Sequence, residues 1–308
     1  MALTLSNSNY NGEVLSELYL AVGVGNEVIQ KAGATLHTDV STKKSLPLLS
    51  QTDSPIGDYA SGAPGAVTVT STYAERTLDP AKMTVYETFS PTTFHDIWDQ
   101  WKSQGDFSNL ELNSSFVKAI LNLYQNGIGR QMSKLFFQGD NTLAAADPMN
   151  KFNGIVTRAS ADGSVVKPTP AGNITTSNFV DILAAVWDSI PDHLLDDPEY
   201  VIYVNTTDWK TIQAGNTLLK SAFVGALGMD LETMYQTKKI QHFAGMKRHN
   251  ILAGKADNLH MGVWVAPDSE SVVVDKVSNN SREWFFRFDF KADANYTNAT
   301  DLVLYEPA

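Results

Sequence analysis

Two long segments with strand character, separated by a run of turn-forming residues, most constrain how this chain folds. Residues that favour strands extend from Thr35 to Ser50 and again from Ala66 to Phe89. Within the second segment Thr68 and Thr70 alternate with valines, which is the period of a strand with two different faces. The intervening residues 55–65 are dense in Gly, Pro, Ser and Asp. The pattern predicts a long two-stranded ribbon with a broad tip.

A ribbon of this kind is not stable by itself in water. Two strands bury too little apolar surface to offset the entropy lost when they become ordered. The ribbon therefore needs another surface to lie on, and a neighbouring subunit is the natural candidate.

Charge and cysteine content exclude several classes of function. The 308 residues carry a formal net charge of -11 without a run of Lys or Arg, which disfavours dedicated DNA binding. An acidic protein can still enclose DNA, because like charges keep the wall from adhering to it. The chain has no cysteine, so disulfides, thiolate metal sites and cysteine nucleophiles are excluded. Because the polar start Met1–Tyr10 has no signal-peptide pattern, we expect a reducing cytoplasm as the site of synthesis.

Helical periodicity is strongest in the middle of the chain. Apolar residues recur at spacings of three and four from Asn113 to Gln138, which predicts a helix about 40 Å long. Asn113 or Ser114 can cap its start, and Gly139 follows its end. Weaker patterns predict helical turns within Glu13–Ala32 and a short helix over Thr92–Lys102.

The second half alternates helices and strands. We predict a short strand after the turn at Asn153–Val156, and a helical turn at Ala256–Met261. Two helices are predicted, over Ser177–Ile190 and from Thr207 or Asp208 to Ile212. Further strands are predicted at Tyr200–Asn205, Lys239–Ala244, Asn250–Ala253, Ala266–Val277, Trp284–Lys291 and Leu302–Tyr305. In Trp284–Lys291 the residues Trp284, Phe286, Phe288 and Phe290 face one way, which predicts a buried face.

Three groups of residues suggest ligand sites, and each has a simpler structural interpretation. Gly23–Val28 resembles a dinucleotide loop but lacks its third glycine, which favours a flexible arm. Asp192, His193, Asp196, Asp197 and Glu199 offer metal-ligand atoms, yet they follow a helix ended by Pro191 and are typical of a solvated turn. The aromatic strand could stack nucleic-acid bases, but only Arg287 and Lys291 accompany it, so a buried sheet face is favoured.

Catalytic sets are incomplete. His95 with Asp96 and Asp99 could supply a base, and His242, His249 and His260 lie further along the chain. No Gly-X-Ser-X-Gly or His-Glu-X-X-His motif accompanies them. We therefore predict no catalytic, metal or cofactor-binding residues and no cofactor.

The order of these parts resembles the Hong Kong 97-type capsid fold of tailed double-stranded DNA bacteriophages, an α+β fold, over essentially the whole chain. The resemblance implies an N-terminal arm at residues 1–34, an extended E-loop hairpin at 35–89, a peripheral domain with a long spine helix at 90–155 and 268–308, and an axial domain at 156–267. The strands near the end of the chain, including Leu302–Tyr305, are then expected to return to the peripheral sheet.

The resemblance implies a structural function. Subunits are expected to form hexamers and pentamers of an icosahedral head, in which each E-loop lies across a neighbour. Expected partners are other copies of the chain, a separate scaffolding protein, a portal, a possible decoration protein and packaged double-stranded DNA without sequence-specific contact. The expected location is the virion capsid, after assembly in the bacterial host cytoplasm.

The ribbon departs from the family pattern in one respect, and two other functions are also compatible with the sequence. No lysine occurs between Lys44 and Lys82, so we predict no covalent cross-link through the E-loop of the kind the type member forms. A bacterial compartment shell of the encapsulin type has the same architecture. A soluble α/β enzyme is the alternative from another class, and the lack of a complete catalytic set weighs against it.

Overall fold

The fold is described from a computed structural model, which describes residues 28–51, 71–89, 114–222, 234–265, 272–278 and 283–307. The predicted helix Thr92–Lys102, most of the predicted segment Glu13–Ala32, and the tip of the ribbon lie outside these residues. Residues Val28–Ala32 form one π-helical turn.

Twelve strands are present in the described residues, and they form three sheets. In chain order they are β1 Thr35–His37, β2 Lys44–Gln51, β3 Ser71–Leu78, β4 Ala81–Phe89, β5 Tyr200–Asn205, β6 Met234–Tyr235, β7 Lys238–Phe243, β8 Ile251–Lys255, β9 Leu259–Val265, β10 Val272–Lys276, β11 Trp284–Tyr296 and β12 Val303–Tyr305.

Five α-helices connect or cover these strands in the described part of the chain. They are α1 Ser114–Gln138, α2 Ile155–Ala161, α3 Phe179–Asp188, α4 Asp192–Leu195 and α5 Thr206–Ala222, and a 3-10 turn lies at Ala256–Asn258.

The first five-stranded sheet is organised by its longest strand, β11. One edge of β11 pairs with β4 along nine residues, and the other edge pairs first with β10 and then with β9. Strand β1 adds to β9 in parallel at the edge of the sheet. The aromatic face of β11 is buried as predicted, and Tyr124 of α1 stacks on Phe286 with ring centroids 4.5 Å apart. The long helix thus covers the inner face of this sheet.

The second five-stranded sheet has the order β12-β8-β5-β7-β6 and is covered on both faces. Alternate residues of β5 enter two different cores: Val201 and Tyr203 pack in the core shared with α1, whereas Ile202 and Val204 pack against α3. A strand buried on both faces is expected to be apolar throughout, as Tyr200–Asn205 nearly is. This sheet therefore separates the two cores of the molecule.

Strands β2 and β3 form a sheet of their own. Eight residue pairs run from Lys44 opposite Leu78 to Gln51 opposite Ser71. The predicted ribbon is confirmed over these residues. The two ends of the predicted region, Thr35–His37 and Ala81–Phe89, do not belong to the ribbon, because they pair with β9 and β11 in the first sheet.

Four sequence-based predictions are wrong. Ile155–Ala161 is a helix and not a strand, and the helix that begins at Thr206 continues to Ala222 instead of ending at Ile212. The predicted helical turn ends at Asn258, because Leu259 already begins β9. Strand β12 pairs with β8 of the second sheet and not with the first, where Leu302–Tyr305 was expected.

The helix at Ile155–Ala161, in place of the predicted strand, has a geometric cause. The Gly154 amide donates to the Gly139 carbonyl at 2.8 Å, so the chain after α1 turns tightly back on itself. A Cβ atom at Gly154 would lie 2.6 Å from the carbonyl carbon of Phe137, which only glycine avoids. The β-branched residues Ile155 and Val156 favour a strand locally, but both are buried against the core in the first turn of α2.

Candidate functional site

The ribbon β2–β3 carries the most unusual surface among the described residues. At its outer end Leu49 and Tyr73 lie directly opposite each other on adjacent strands. Their side chains are 75% and 65% exposed. Single exposed apolar residues are common, but two large ones directly opposite each other on a two-stranded sheet are typical of a contact surface.

On the opposite face of the ribbon, one neighbouring residue pair is polar. Ser50 and Thr72 are cross-strand neighbours, and their hydroxyl oxygens lie 2.6 Å apart. The second pair on that face, Leu48 and Ala74, is apolar, so the exposed pair Leu49–Tyr73 stands out by its size and exposure. Seven intervals of about 3.4 Å give these eight-residue strands a reach of about 24 Å.

A small apolar cluster fixes the base of the ribbon. Leu46 of β2 and Leu78 of β3 are buried together with Val40. They pack over Gly262 of β9, where an added Cβ atom would lie 3.2 Å from Leu78. The absence of a side chain at Gly262 thus allows the base of the ribbon to lie close to the first sheet.

Arg76 ties the same base to α2 and β11. Its guanidinium lies 2.5 Å from the Asp162 carboxylate and 4.4 Å from the centre of the Tyr296 ring. The Tyr296 hydroxyl also donates to Asp162, at 2.9 Å. Burial alone would raise the pKa of Asp162, but hydrogen bonds from the Ser164 amide, Arg76 and Tyr296 lower it to about 2.

A second anchor holds the turn between β3 and β4. The Asp79 amide donates to the Asp293 carboxylate at 2.7 Å, and Arg158 of α2 donates to the same group at 2.9 Å. Burial raises the pKa of Asp293, and Arg158 opposes that rise. Asn295, two residues further along β11, donates to the Thr77 carbonyl at 2.8 Å. Several partly buried polar contacts therefore hold the base of the ribbon. Near its outer end, by contrast, the side chains of Leu49 and Tyr73 are exposed.

The residues that suggested a metal site have other partners. The Asp197 carboxylate pairs with Lys255 and accepts a bond from the Glu199 amide, while its main-chain carbonyl accepts from Lys238. His193 lies 3.7 Å from Asp301. Within the described residues, no group of three or more His, Asp or Glu side chains is arranged to hold a metal ion.

The histidines are dispersed over separate environments. His242 stacks near Trp209, His249 lies 3.4 Å from buried Asp208, and His260 lies beside His37. His95, Asp96, Asp99 and the glycines Gly23 and Gly25 lie outside the described residues. The described histidines thus do not converge on one nucleophile.

The aromatic strand is not a platform for bases. Trp284, Phe286, Phe288 and Phe290 are all buried in the core beneath α1. Arg287, on the other face, pairs with Asp289. The structure thus favours the buried sheet face over base stacking.

Sequence reasoning missed the anchors of the ribbon. Arg76 and Asp162 are 86 residues apart, and Arg158 and Asp293 are 135 residues apart. No local spacing pairs such residues, because only the fold brings them together. The unusual Asp293 and Asn295 in an otherwise buried strand were the one available signal.

Among the described residues, no helix has the length and apolar character needed to cross a membrane.

Comparison with known proteins identifies the fold. No protein-family model matches the sequence, and no curated protein does. Among solved structures, the satellite phage P4 procapsid, which includes the size determination protein Sid, aligns with 94% of this chain and 98% of its own, at a TM-score of 0.61 and 12% identity. The capsid of a native GTA particle aligns with 100% of this chain and 96% of its own, at a TM-score of 0.56 and 13% identity. A structure from Mycobacterium phage Bobi aligns at a TM-score of 0.53, with 13% identity over 100% of this chain and 96% of its own. This chain therefore has the Hong Kong 97-type fold of phage capsid proteins.

Proposed function

We propose that this chain is the major capsid protein of a tailed bacteriophage, which self-assembles into the hexamers and pentamers of an icosahedral shell around double-stranded DNA. The observation that supports this most directly is the ribbon β2–β3, which exposes Leu49 and Tyr73 at its outer end and is anchored at its base. On a fold that solved structures place in capsids, such a ribbon serves as an intersubunit contact.

The parts of the fold suggest a division of labour. We assign residues 1–34 to an N-terminal arm, 35–89 to the E-loop, 90–155 with 268–308 to the peripheral domain, and 156–267 to the axial domain. Strand pairing refines this assignment: β1, β4 and β9 belong with the peripheral sheet, and β12 belongs with the axial sheet. In this assignment the axial domains surround the symmetry axes of each capsomer.

The energetic role of the ribbon follows from the exposed pair Leu49 and Tyr73 near its outer end. Full burial of a large apolar side chain stabilises a contact by about 1.5–3 kcal/mol. Leu49 and Tyr73 together give each ribbon a modest contact, and closure of the shell multiplies it because every subunit both gives and receives one. The polar anchors at the base keep the ribbon in one orientation, which reduces the entropy lost on docking.

The proposed role is structural and not enzymatic. We expect a separate scaffolding protein, a portal and possibly a decoration protein as partners, and a location in the virion after assembly in the host cytoplasm. The net charge of -11 suits a wall that encloses DNA without sequence-specific contact.

Electron microscopy and sizing of the purified full-length protein test the proposal. Closed shells or ring-shaped capsomers are expected. A protein that stays a monodisperse monomer of 33.7 kDa under all assembly conditions contradicts it. Nucleic acid inside particles purified from their natural source is expected, whereas particles that hold protein cargo and no nucleic acid would favour an encapsulin-type compartment shell.

Two ribbon variants test the contact itself. The double variant Leu49→Ser with Tyr73→Ser should fold but assemble at least tenfold less efficiently, because the apolar end of the ribbon is removed. Deletion of residues 53–65 should impair assembly as well. Ala74→Ser changes an exposed residue on the opposite face of the same ribbon and is the matched control. Unchanged assembly of the double variant would rule out the ribbon as an intersubunit clasp.

A further inference from the structure

A row of four side chains joins the base of the ribbon to the first sheet. Lys44 Nζ lies 3.0 Å from His37 Nδ1, and His37 Nε2 lies 3.2 Å from His260 Nδ1. His260 Nε2 lies 2.5 Å from the Thr297 hydroxyl. Lys44 belongs to β2 and His37 to β1. His260 belongs to β9, and Thr297 follows β11. The row therefore connects the ribbon, through the edge strand β1, to the inner strands of the first sheet.

The donors and acceptors in this row have only one consistent assignment. A lysine ammonium has donors and no acceptor, so Lys44 donates to His37 Nδ1. His37 therefore carries its proton on Nε2 and donates to His260 Nδ1. His260 in turn carries its proton on Nε2 and donates to Thr297. Both imidazoles are neutral, and the two hydrogen bonds that a ring accepts depend on the neutrality of that ring.

The charges that face the two rings favour the neutral form. Burial lowers the pKa of His37, and the Lys44 ammonium lowers it further. Burial lowers the pKa of His260 to about 4, with His37 and Lys44 acting in the same direction. Asp257, in the turn before β9, is the one facing carboxylate among the described residues, and it opposes the shift without cancelling it.

We propose that this row is an acid-sensitive latch, which releases β1 from β9 when either imidazole takes up a proton. Protonation of His37 at Nδ1 places an N–H group against the Lys44 ammonium. Protonation of His260 at Nδ1 places an N–H group against the one His37 donates. In the first case a hydrogen bond is replaced by repulsion between two positive charges, and in the second by repulsion between two N–H donors. Strand β1 is a three-residue strand at the edge of the sheet, so it is the element that gives way.

The direction of the pH dependence follows from linkage. A released histidine titrates near 6.5, whereas the latched rings titrate below that value, so the released form binds protons more readily. The latch is therefore fully closed above about pH 6.5 and weakens as the pH falls towards about 4. The latch does not depend on the proposed capsid role, because it operates within one subunit.

Hydrogen exchange of the full-length protein tests the latch. After correction for the intrinsic pH dependence of exchange, the protection of amides in β1 should fall at least tenfold between pH 7 and pH 4.5. Protection in β5, which is buried in the second sheet, should stay constant. In the double variant His37→Gln with His260→Gln, the selective fall in β1 should disappear. His242→Gln replaces an exposed histidine of the second sheet and should leave the fall unchanged.

Two results would overturn the proposal: a parallel loss of protection in β1 and β5, or a selective loss that persists in the double variant. If the double variant does not fold, nitrogen-15 spectra of the imidazoles in the unaltered protein decide. They should report the Nε2–H form and a pKa below 6.5 for both rings. An Nδ1–H form or an ordinary pKa in either ring contradicts the latch.

Discussion

Arg158 donates to Asp293 at 2.9 Å, and the Asp293 side chain is wholly buried while that of Arg158 is about a quarter exposed. The pair joins α2 to β11, and the Asp79 amide at the end of the ribbon uses the same carboxylate. One buried charge thus connects three parts of the chain. Its contribution to stability lies mainly in what is left behind when the partner is removed.

Replacement of Arg158 by Met should destabilise the subunit by about 3 kcal/mol, because it leaves a buried carboxylate without its counter-ion. Urea unfolding of the dissociated subunit measures the loss. Lys43→Met breaks the exposed pair with Asp79, at 3.3 Å, and should change stability by less than about 1 kcal/mol. Addition of Asp293→Asn to the Arg158 variant should recover part of the loss, since an amide oxygen still accepts from Asp79. Equal effects of the Arg158 and Lys43 variants would contradict this account.

Asp162 should make the stability of the protein depend on acid. Its folded pKa of about 2 lies below the ordinary value of 3.8, so its ionised form contributes stability above pH 4 that is lost as the pH falls to 2. Asp162→Asn should therefore lower the free energy of unfolding by about 2 kcal/mol at pH 7 and by much less at pH 2. Denaturant titrations at both values measure the difference. Glu199→Gln, a carboxylate-to-amide change at an exposed site, is the control. A pH-independent loss would mean that Asp162 acts through packing alone.

Two glycines near α1 should respond to alanine in opposite directions. At Gly139 an added Cβ atom would lie 2.7 Å from the Leu135 carbonyl oxygen and would also meet the Phe152 carbonyl. Gly139→Ala should therefore destabilise the subunit by about 3 kcal/mol. At Gly127, in the interior of the same helix, nothing in the described part of the chain lies within 4 Å of the added atom. Gly127→Ala should stabilise by about 0.5–1 kcal/mol, because alanine favours the helix. Thermal unfolding measures both, and effects of the same sign would contradict the close approach at Gly139.

The two faces of the first sheet should differ in sensitivity. Phe286, on the inner face, is buried and stacks on Tyr124, so Phe286→Ala should destabilise by about 3–5 kcal/mol. Tyr86, on the outer face of the neighbouring strand, is 57% exposed, and Tyr86→Ala should cost less than about 1 kcal/mol in the dissociated subunit. A similar loss in both variants would show that the outer face is covered in the subunit itself.

Elements whose pattern is periodic were predicted well. The long helix was expected over Asn113–Gln138 and spans Ser114–Gln138, and the alternation in Trp284–Lys291 correctly identified the buried face of β11. These patterns are reliable because each residue's environment depends on its position in one regular element. The fold class was expected from the resemblance of this order of ribbon, long helix and mixed region to the Hong Kong 97-type fold, and the solved structures confirm it.

Predictions failed where distant segments decide the conformation. Residues 155–161 form a helix because two glycines let the chain turn back under α1, and the sequence around Ile155 carries no helical signal strong enough to reveal it. Likewise Leu302–Tyr305 reads as a strand, but its pairing with β8 depends on which sheet edge is free.

The order of residues alone predicts a ribbon that needs a partner, a long amphipathic helix, one strand with an aromatic buried face, and no cysteine chemistry. The contacts that hold the ribbon and β1 appear only in the folded chain: Arg76 with Asp162, Asp79 with Asp293, and His37 with His260. Periodicity is a property of neighbours in the chain and can be read locally. Buried ion pairs and histidine contacts join residues up to 223 positions apart, so they exist only after the chain has folded.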